Sequence, residues 1–220
     1  FDGIGWSVLN AGSTTNNDPP GPLTMLSATE GYYTTCWGWG VWNGSSWTFH
    51  ANGFDFCDVS SIWGTRDGSN ALALYTAGNN NFSNGVRVWK LADSSFGSKC
   101  GFAFGDPTNG SFICGGVFAG GGVFGTATGI WGSSPQDVWV SGKLDGPSST
   151  GRLYHFDGSG WSNVTAPLNA LAGGSLPSTT ALTGTSSDDV WVALADGRLL
   201  HYAMATTGMH PTGTVQFTDN

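Results

Sequence analysis

Side chains able to do acid–base or nucleophilic chemistry are few in this 220-residue chain: fifteen acidic residues, seven basic ones, and the histidines His50, His155, His201 and His210. Serine is plentiful, yet GxSxG occurs nowhere, so the strained turn that would expose a serine nucleophile has no support. Asp137 and Asp157 invite a test as a carboxylate pair. Glycoside chemistry needs two carboxyls at a defined separation, however, and spacing alone does not supply one. Both have a simpler use. Asp137 and Asp189 each open a DVWV or DVWVA run and can accept backbone N–H groups in a tight turn, while Asp157-Gly158 and Asn43-Gly44 are hairpin dipeptides. His155 and His201 occupy equivalent places in two copies of one pattern, which suits one structural job done twice.

Metal chemistry has as little support. Without a DxDxDG run calcium is unsupported, and no cofactor is expected. Cys36, Cys57, Cys100 and Cys114 include no CxxC and have no histidine at zinc-ligand spacing. Four cysteines allow three connectivities. Local pairing, Cys36 with Cys57 and Cys100 with Cys114, in an oxidising compartment is preferred over buried free thiols.

The elements that would carry these residues come from a repeat. Gly129–Thr165 is the clearest copy, and Asp189, Val190, Trp191 and Val192 follow Asp137, Val138, Trp139 and Val140 by 52 residues. Self-similarity at that period marks solenoids and propellers. With 36 glycines punctuating the chain and no long 3.6-period run, an all-β fold of short strands is expected. In the clear copy the strands fall at Ala127–Gly132, Asp137–Gly142, Gly151–Asp157 and Gly160–Thr165. Looser copies place units at about 23–49, 60–98 and 180–203, within one domain spanning 1–220. The interval 97–126 reads as an insertion, either a disulfide-tied hairpin, which is preferred because it holds no DVW-like element, or a fifth unit. The opening FDGIGW copies FDGSGW at 156–161, and the last copy lacks that element. The expectation is therefore a propeller of four, or alternatively five, four-stranded blades, closed by an N-terminal strand within 1–10. Val215–Phe217 is a rival for the same slot.

WGSSPQDVWVSG followed by GRLYHFDGSGW resembles the tryptophan-rich β-propeller repeats of secreted and surface-associated bacterial proteins, built as WG, DVW and DGxxW. The resemblance implies a propeller and an extracellular setting, and no activity. The first unit departs from the pattern, having no DVW and no WG where the first strand would carry it.

Net charge of −8 argues against a nucleic-acid partner, which is bound through basic patches, and against anionic membrane surfaces. No apolar run is long enough for a membrane-spanning helix. A chain opening on Phe1 reads as a processed product.

Within a four-stranded meander, first-to-second and third-to-fourth turns share one face, and these are short. Second-to-third turns and unit crossings share the other: Asn10–Pro22, Gly78–Asn84, Gly97–Thr126, Lys143–Thr150 and Ala166–Thr179. Function on scaffolds concentrates on such loops. Trp37, Trp39, Asn79, Asn80, Asn81, Phe82, Lys143 and Asp145 are the candidate ligand residues, because amide and carboxylate acceptors beside aromatic rings suit sugars. The expected function is an extracellular, non-enzymatic, lectin-like binding module for a glycan or cell-surface polymer. The alternatives are a structural or adhesive unit that self-associates by strand exchange and, third, a glycoside-acting enzyme.

Overall fold

The computed structural model describes residues 20–36, 38–51, 59–80, 85–91, 99–103, 113–114, 125–144 and 150–203. Those residues are all-β apart from one short helix. The chain divides into two compact units, Phe1–Val59 and Ser60–Asn220.

In the first unit β1 (Leu23–Ser27), β2 (Glu30–Thr34), β3 (Gly38–Trp42) and β4 (Trp47–Ala51) form an antiparallel meander in that order. β1 alternates exposed and half-buried residues, as an edge strand with one covered face does. Without a DVW run, and with no WG in its first strand, this sheet relies on aromatic–glycine pairing. Tyr33 lies opposite Gly40, where any Cβ would fall inside the Tyr33 ring, and meets Trp47 edge-on at 5.0 Å.

The second unit carries three sheets, each in meander order. The first comprises β5 (Val59–Arg66), β6 (Leu72–Asn80), β7 (Gly85–Leu91), β8 (Lys99–Ala103) and β9 (Ile113–Cys114). The second comprises β10 (Gly125–Ser134), β11 (Asp137–Leu144), β12 (Gly151–Phe156) and β13 (Trp161–Asn163), and the third β14 (Thr179–Ser186), β15 (Asp189–Leu194) and β16 (Leu199–Ala203). Within the interval 97–126, β8 and β9 pair with each other, Cys100 opposite Cys114, and continue the first sheet.

The 52-residue repeat holds at the level of register. Pairing of β10 with β11 shifts between Ala127 and Gly129 and again between Gly132 and Ser134, and pairing of β14 with β15 shifts between Thr179 and Ala181 and between Gly184 and Ser186. Bulges at matching positions bend both first strands alike.

The first strands of these sheets lie side by side. At their starts Ser60 Oγ donates to Ala127 O at 2.7 Å, and Thr128 Oγ1 bonds Thr179 Oγ1 at 2.7 Å. Further along, the tip of the Trp63 ring sits over Gly132, and that of Trp131 over Gly184. Start meeting start and end meeting end makes the three strands parallel neighbours, so the turns that follow them open at one end of the unit. This handover explains the WG dipeptide: each tryptophan needs the next sheet's glycine to leave room for it. Thr183 stands where the third sheet would carry its tryptophan, and it is exposed.

Sandwiching buries both faces of the middle strand. Val138 and Val140 pack with Tyr75, Val88, Phe156 and Trp161 on one side, and Trp139 packs with Val190 and Val192 on the other. The expected loop Ala166–Thr179 opens instead with a helix, α1 (Thr165–Leu171). Its N-cap is Val164, whose side chain has no acceptor; the Thr165 N–H goes to Asn163 Oδ1 at 3.0 Å, and the buried Thr165 hydroxyl accepts the Leu153 N–H at 3.0 Å. The returning segment is pinned by Leu176, fully buried, whose carbonyl accepts Gly151 N–H at 2.7 Å.

Candidate functional site

In the last two sheets of the second unit an aspartate and a histidine meet where the first strand turns into the second. In the second sheet Ser133 Oγ donates to Asp137 Oδ2, His155 Nε2 lies 2.6 Å from Asp137 Oδ1, and the Trp139 ring stacks on His155 at 4.1 Å. The third sheet repeats this. Thr185 Oγ1 donates to Asp189 Oδ2, His201 Nε2 lies 2.7 Å from Asp189 Oδ1, and Trp191 stacks on His201 at 3.9 Å. There Trp191 Nε1 also donates to Asp189 Oδ1 at 2.9 Å.

Register produces the arrangement. Trp139 faces His155 and Trp191 faces His201 across antiparallel pairs. Each aspartate lies two residues before its tryptophan, hence on the same face and diagonal to the histidine. Asp189 is held below the ordinary carboxylate range, first by the Thr185 hydroxyl and then by His201.

This chain of groups has the members of a catalytic triad in the wrong order. A serine nucleophile gives its proton to imidazole, which the carboxylate orients. Here the carboxylate is in the centre and takes the hydroxyl proton and the imidazole N–H as separate donors. An ionised carboxylate only accepts, which assigns the Nε2 proton to the histidine. The hydroxyl has no base to activate it, so each cluster acts as a clasp tying three strand segments together.

Hairpin turns at the same end use a second device. Asp157 Oδ1 accepts Ser159 N–H at 2.9 Å, Ser159 Oγ at 2.6 Å and Gly160 N–H at 3.0 Å. Those donors, the Ser159 hydroxyl foremost, hold its carboxyl down at about 2. Asp67 repeats the pattern with Ser69 and Ala71, and Asn43 in the first unit repeats it with Ser45 and Ser46. Gly44 and Gly158 adopt φ of +93° and +91°, which the turn demands of them.

The sugar-binding candidates are distributed differently from expectation. Trp39 is buried and stacks on His50 at 5.2 Å, so its ring serves packing in its own sheet. Asn79 and Asn80 are strand residues, opposite Val86 and Gly85, so the start of the expected loop Gly78–Asn84 belongs to β6, which runs on through Asn80. Lys143 is half-buried in β11, opposite Thr126 and Gly151. Asn80 and Lys143 thus both stand near the ends of second strands, away from the clasps, while Trp37, Asn81, Phe82 and Asp145 lie outside the described residues. Cys36 is disulfide-bonded. Cys57, the N-terminal strand within 1–10 and Val215–Phe217 also lie outside the described residues. Among the described residues no three His, Cys, Asp or Glu side chains converge as a metal site would require, and no helix is long and apolar enough to cross a membrane.

Sequence reasoning recognised the equivalence of His155 with His201 and of Asp137 with Asp189 but did not join them. The available signal was Ser133 and Thr185, which keep the same 52-residue offset as the two aspartates and two tryptophans.

No family model matches the chain, and no curated protein does. A solved structure described as "YCF48 bound to D1 peptide" is similar at a TM-score of 0.41 and 14% identity, covering 92% of this chain and 69% of that one.

Proposed function

We propose that the chain is a non-enzymatic binding module, a β-propeller of four-stranded blades with an extracellular role, whose ligand is carbohydrate. The observation that carries the non-catalytic part is the clasp: in two successive sheets every member able to do proton transfer is committed to the same self-contained hydrogen-bond set. A reactive group repeated in equal form beside each sheet, without an activating base, is a fixture of the scaffold. Ligand recognition is then assigned to the opposite end, where second strands hand over to third. The 79–85 hairpin is rich in asparagine there and Lys143 stands near the end of β11. Amide and ammonium groups on a weakly charged surface suit neutral hydroxylated polymers better than anions of high charge density.

Binding of the full chain to a broad glycan array tests this, with Asn80→Ala and Lys143→Ala alongside. The expected result is retention of one glycan class by the wild type, weakened by at least one of these variants. Silence on every glycan sinks the proposal.

A further inference from the structure

Three of the described hairpin turns share one device: an aspartate or asparagine, then a glycine, then a serine whose hydroxyl returns to the first side chain. Two are Asp67-Gly68-Ser69 and Asp157-Gly158-Ser159, and the third, between β3 and β4, is Asn43-Gly44-Ser45. Asn43 Oδ1 accepts Ser45 N–H at 3.0 Å, Ser45 Oγ at 2.9 Å and Ser46 N–H at 2.9 Å. Three donors on one atom identify it as the carbonyl oxygen. Nδ2 is left on the outer side, and neither it nor the Gly44 N–H has a hydrogen-bond partner among the described residues. All four residues 43–46 are exposed.

The asparagine changes the chemistry of the turn. At Asp157 the donors face a carboxyl held down at about 2, which is ionised at neutral pH and therefore a poor electrophile. At Asn43 they face a neutral amide whose Cγ is one five-membered ring away from Gly44 N, and Gly44 has no Cβ to obstruct the approach. Donors within 3.0 Å of Oδ1 are aimed at the atom on which negative charge develops when a nitrogen adds to Cγ, as in an oxyanion hole. A bulkier and slower neighbour is ruled out by the turn itself: Gly44 has φ of +93°, and a Cβ there would lie 2.8 Å from Thr29 Cγ2.

We propose that Asn43 is a self-modification site, converted to aspartate through a cyclic imide with Gly44. Solvent base takes the Gly44 amide proton, the bond from Gly44 N to Cγ forms, and the bond from Cγ to Nδ2 breaks with ammonia leaving. Water then adds to Cγ, the bond to Gly44 N breaks, and that nitrogen recovers its proton. The net reaction is hydrolysis of an amide to a carboxylate and ammonium, with nothing oxidised or reduced. Opening at Cγ restores the backbone and places a carboxylate among the same kinds of donor that hold Asp157 ionised. Opening at the main-chain carbonyl instead lengthens the backbone by one methylene inside the turn and displaces those donors, so the α-linked product is the one the fold retains. The new charge adds to the net −8 and requires no ligand, which keeps this inference independent of the carbohydrate reading above.

The test holds the full chain at mildly alkaline pH, in buffer and in urea, and follows position 43 by digestion and mass spectrometry, with electron-transfer fragmentation to tell the two linkages apart. The expected result is a gain of one mass unit at position 43 severalfold faster in buffer than in urea, with α-linked aspartate predominating in buffer. Ser45→Ala should slow the reaction severalfold in buffer and leave it unchanged in urea, while Ser45→Thr, which keeps the hydroxyl, should match the wild type. Tryptophan fluorescence shows whether Ser45→Ala is folded, and if it is not, the wild-type comparison between buffer and urea decides alone. A wild type that reacts no faster in buffer than in urea, a folded Ser45→Ala chain as fast as the wild type, or a predominance of the β-linked product in buffer overturns the proposal.

Discussion

Gly184→Ala is the sharpest probe of how the sheets of the second unit are held together. A Cβ at Gly184 would lie 2.7 Å from the Asp189 carbonyl oxygen and 2.7 Å from both Cη2 and Cζ3 of Trp131. Real Cβ atoms do not come that close, and neither neighbour yields easily: one is backbone in the paired strand, the other the tip of a ring wedged between sheets. Alanine gains roughly 0.5–1 kcal/mol over glycine in a strand through backbone entropy, while overpacking of this kind costs about 1–3 kcal/mol. Taking the middle of each range, the net expectation is a loss of about 1 kcal/mol, seen as a lower urea midpoint at unchanged slope. Tryptophan fluorescence and calorimetry together would show whether the two units unfold in one step. Gly68→Ala is the control, since nothing lies within 4 Å of a Cβ there, and it should be neutral or slightly stabilising. If the Trp131 ring is the obstacle, Gly184→Ala should cost less in a Trp131→Ala background, with a coupling of about 0.5–1 kcal/mol or more. A Gly184→Ala protein as stable as the wild type, or one whose loss is the same with and without Trp131, would refute the handover as the reason for the WG pattern.

Three further expectations follow from named bonds. Asp157 ionises at about 2 in the folded chain against about 3.9 when unfolded, so the extra stability of its turn is complete above about pH 4 and is lost as pH falls through about 2; Asp157→Ala should flatten the pH dependence of unfolding in that window, and an unchanged slope counts against the turn. Tyr75→Phe removes the bond from its hydroxyl to Pro135 O, 2.6 Å, and should cost about 1 kcal/mol in urea melts; burial alone raises the Tyr75 hydroxyl well above its usual range, so alkaline difference spectra should show one tyrosine fewer titrating in the variant only after unfolding. Thr165→Val strands the buried Leu153 N–H and should cost about 1–3 kcal/mol, with faster amide exchange at Leu153 as the local sign.

What was legible in the sequence was what turn chemistry punctuates. β10 to β13 fall within a few residues of expectation because Ser133–Gln136, Asp157–Gly160 and their neighbours admit turns and little else. β6 overran its expected end because Asn79 and Asn80 read as loop residues, although cross-strand partners Val86 and Gly85 hold their backbones in the ladder. α1 was hidden by Pro167 and by its cap residue, Val164, which carries none of the side-chain acceptors that announce a helix start. Trp39 was misjudged for another reason: a tryptophan beside glycines looks like a platform, and only register reveals that His50 already occupies its face. The clasps were invisible as clasps because Asp137 and His155 are 18 residues apart and meet only through the diagonal of an antiparallel pair.

The last two sheets also separate scaffold from function by comparison with each other. Positions that keep their chemistry at the 52-residue offset, such as Gly132 with Gly184, Asp137 with Asp189 and Trp139 with Trp191, all have a packing or hydrogen-bonding duty that recurs in both sheets. Such a duty is sufficient reason for the residue, so repetition weighs against a unique role. The informative positions are those where equivalence fails. Trp131 becomes exposed Thr183, buried Phe156 becomes exposed Tyr202, and the connection from 145 to 150 becomes a tight turn in which Leu194 N–H meets Arg198 O at 2.9 Å. Two of these departures fall on exposed residues of the third sheet, on its first strand and on its last, while the scaffold beneath keeps its clasp and its bulges. Variants that probe function should therefore begin at Thr183 and Tyr202, where the two sheets differ, rather than at the tryptophans that recur in both.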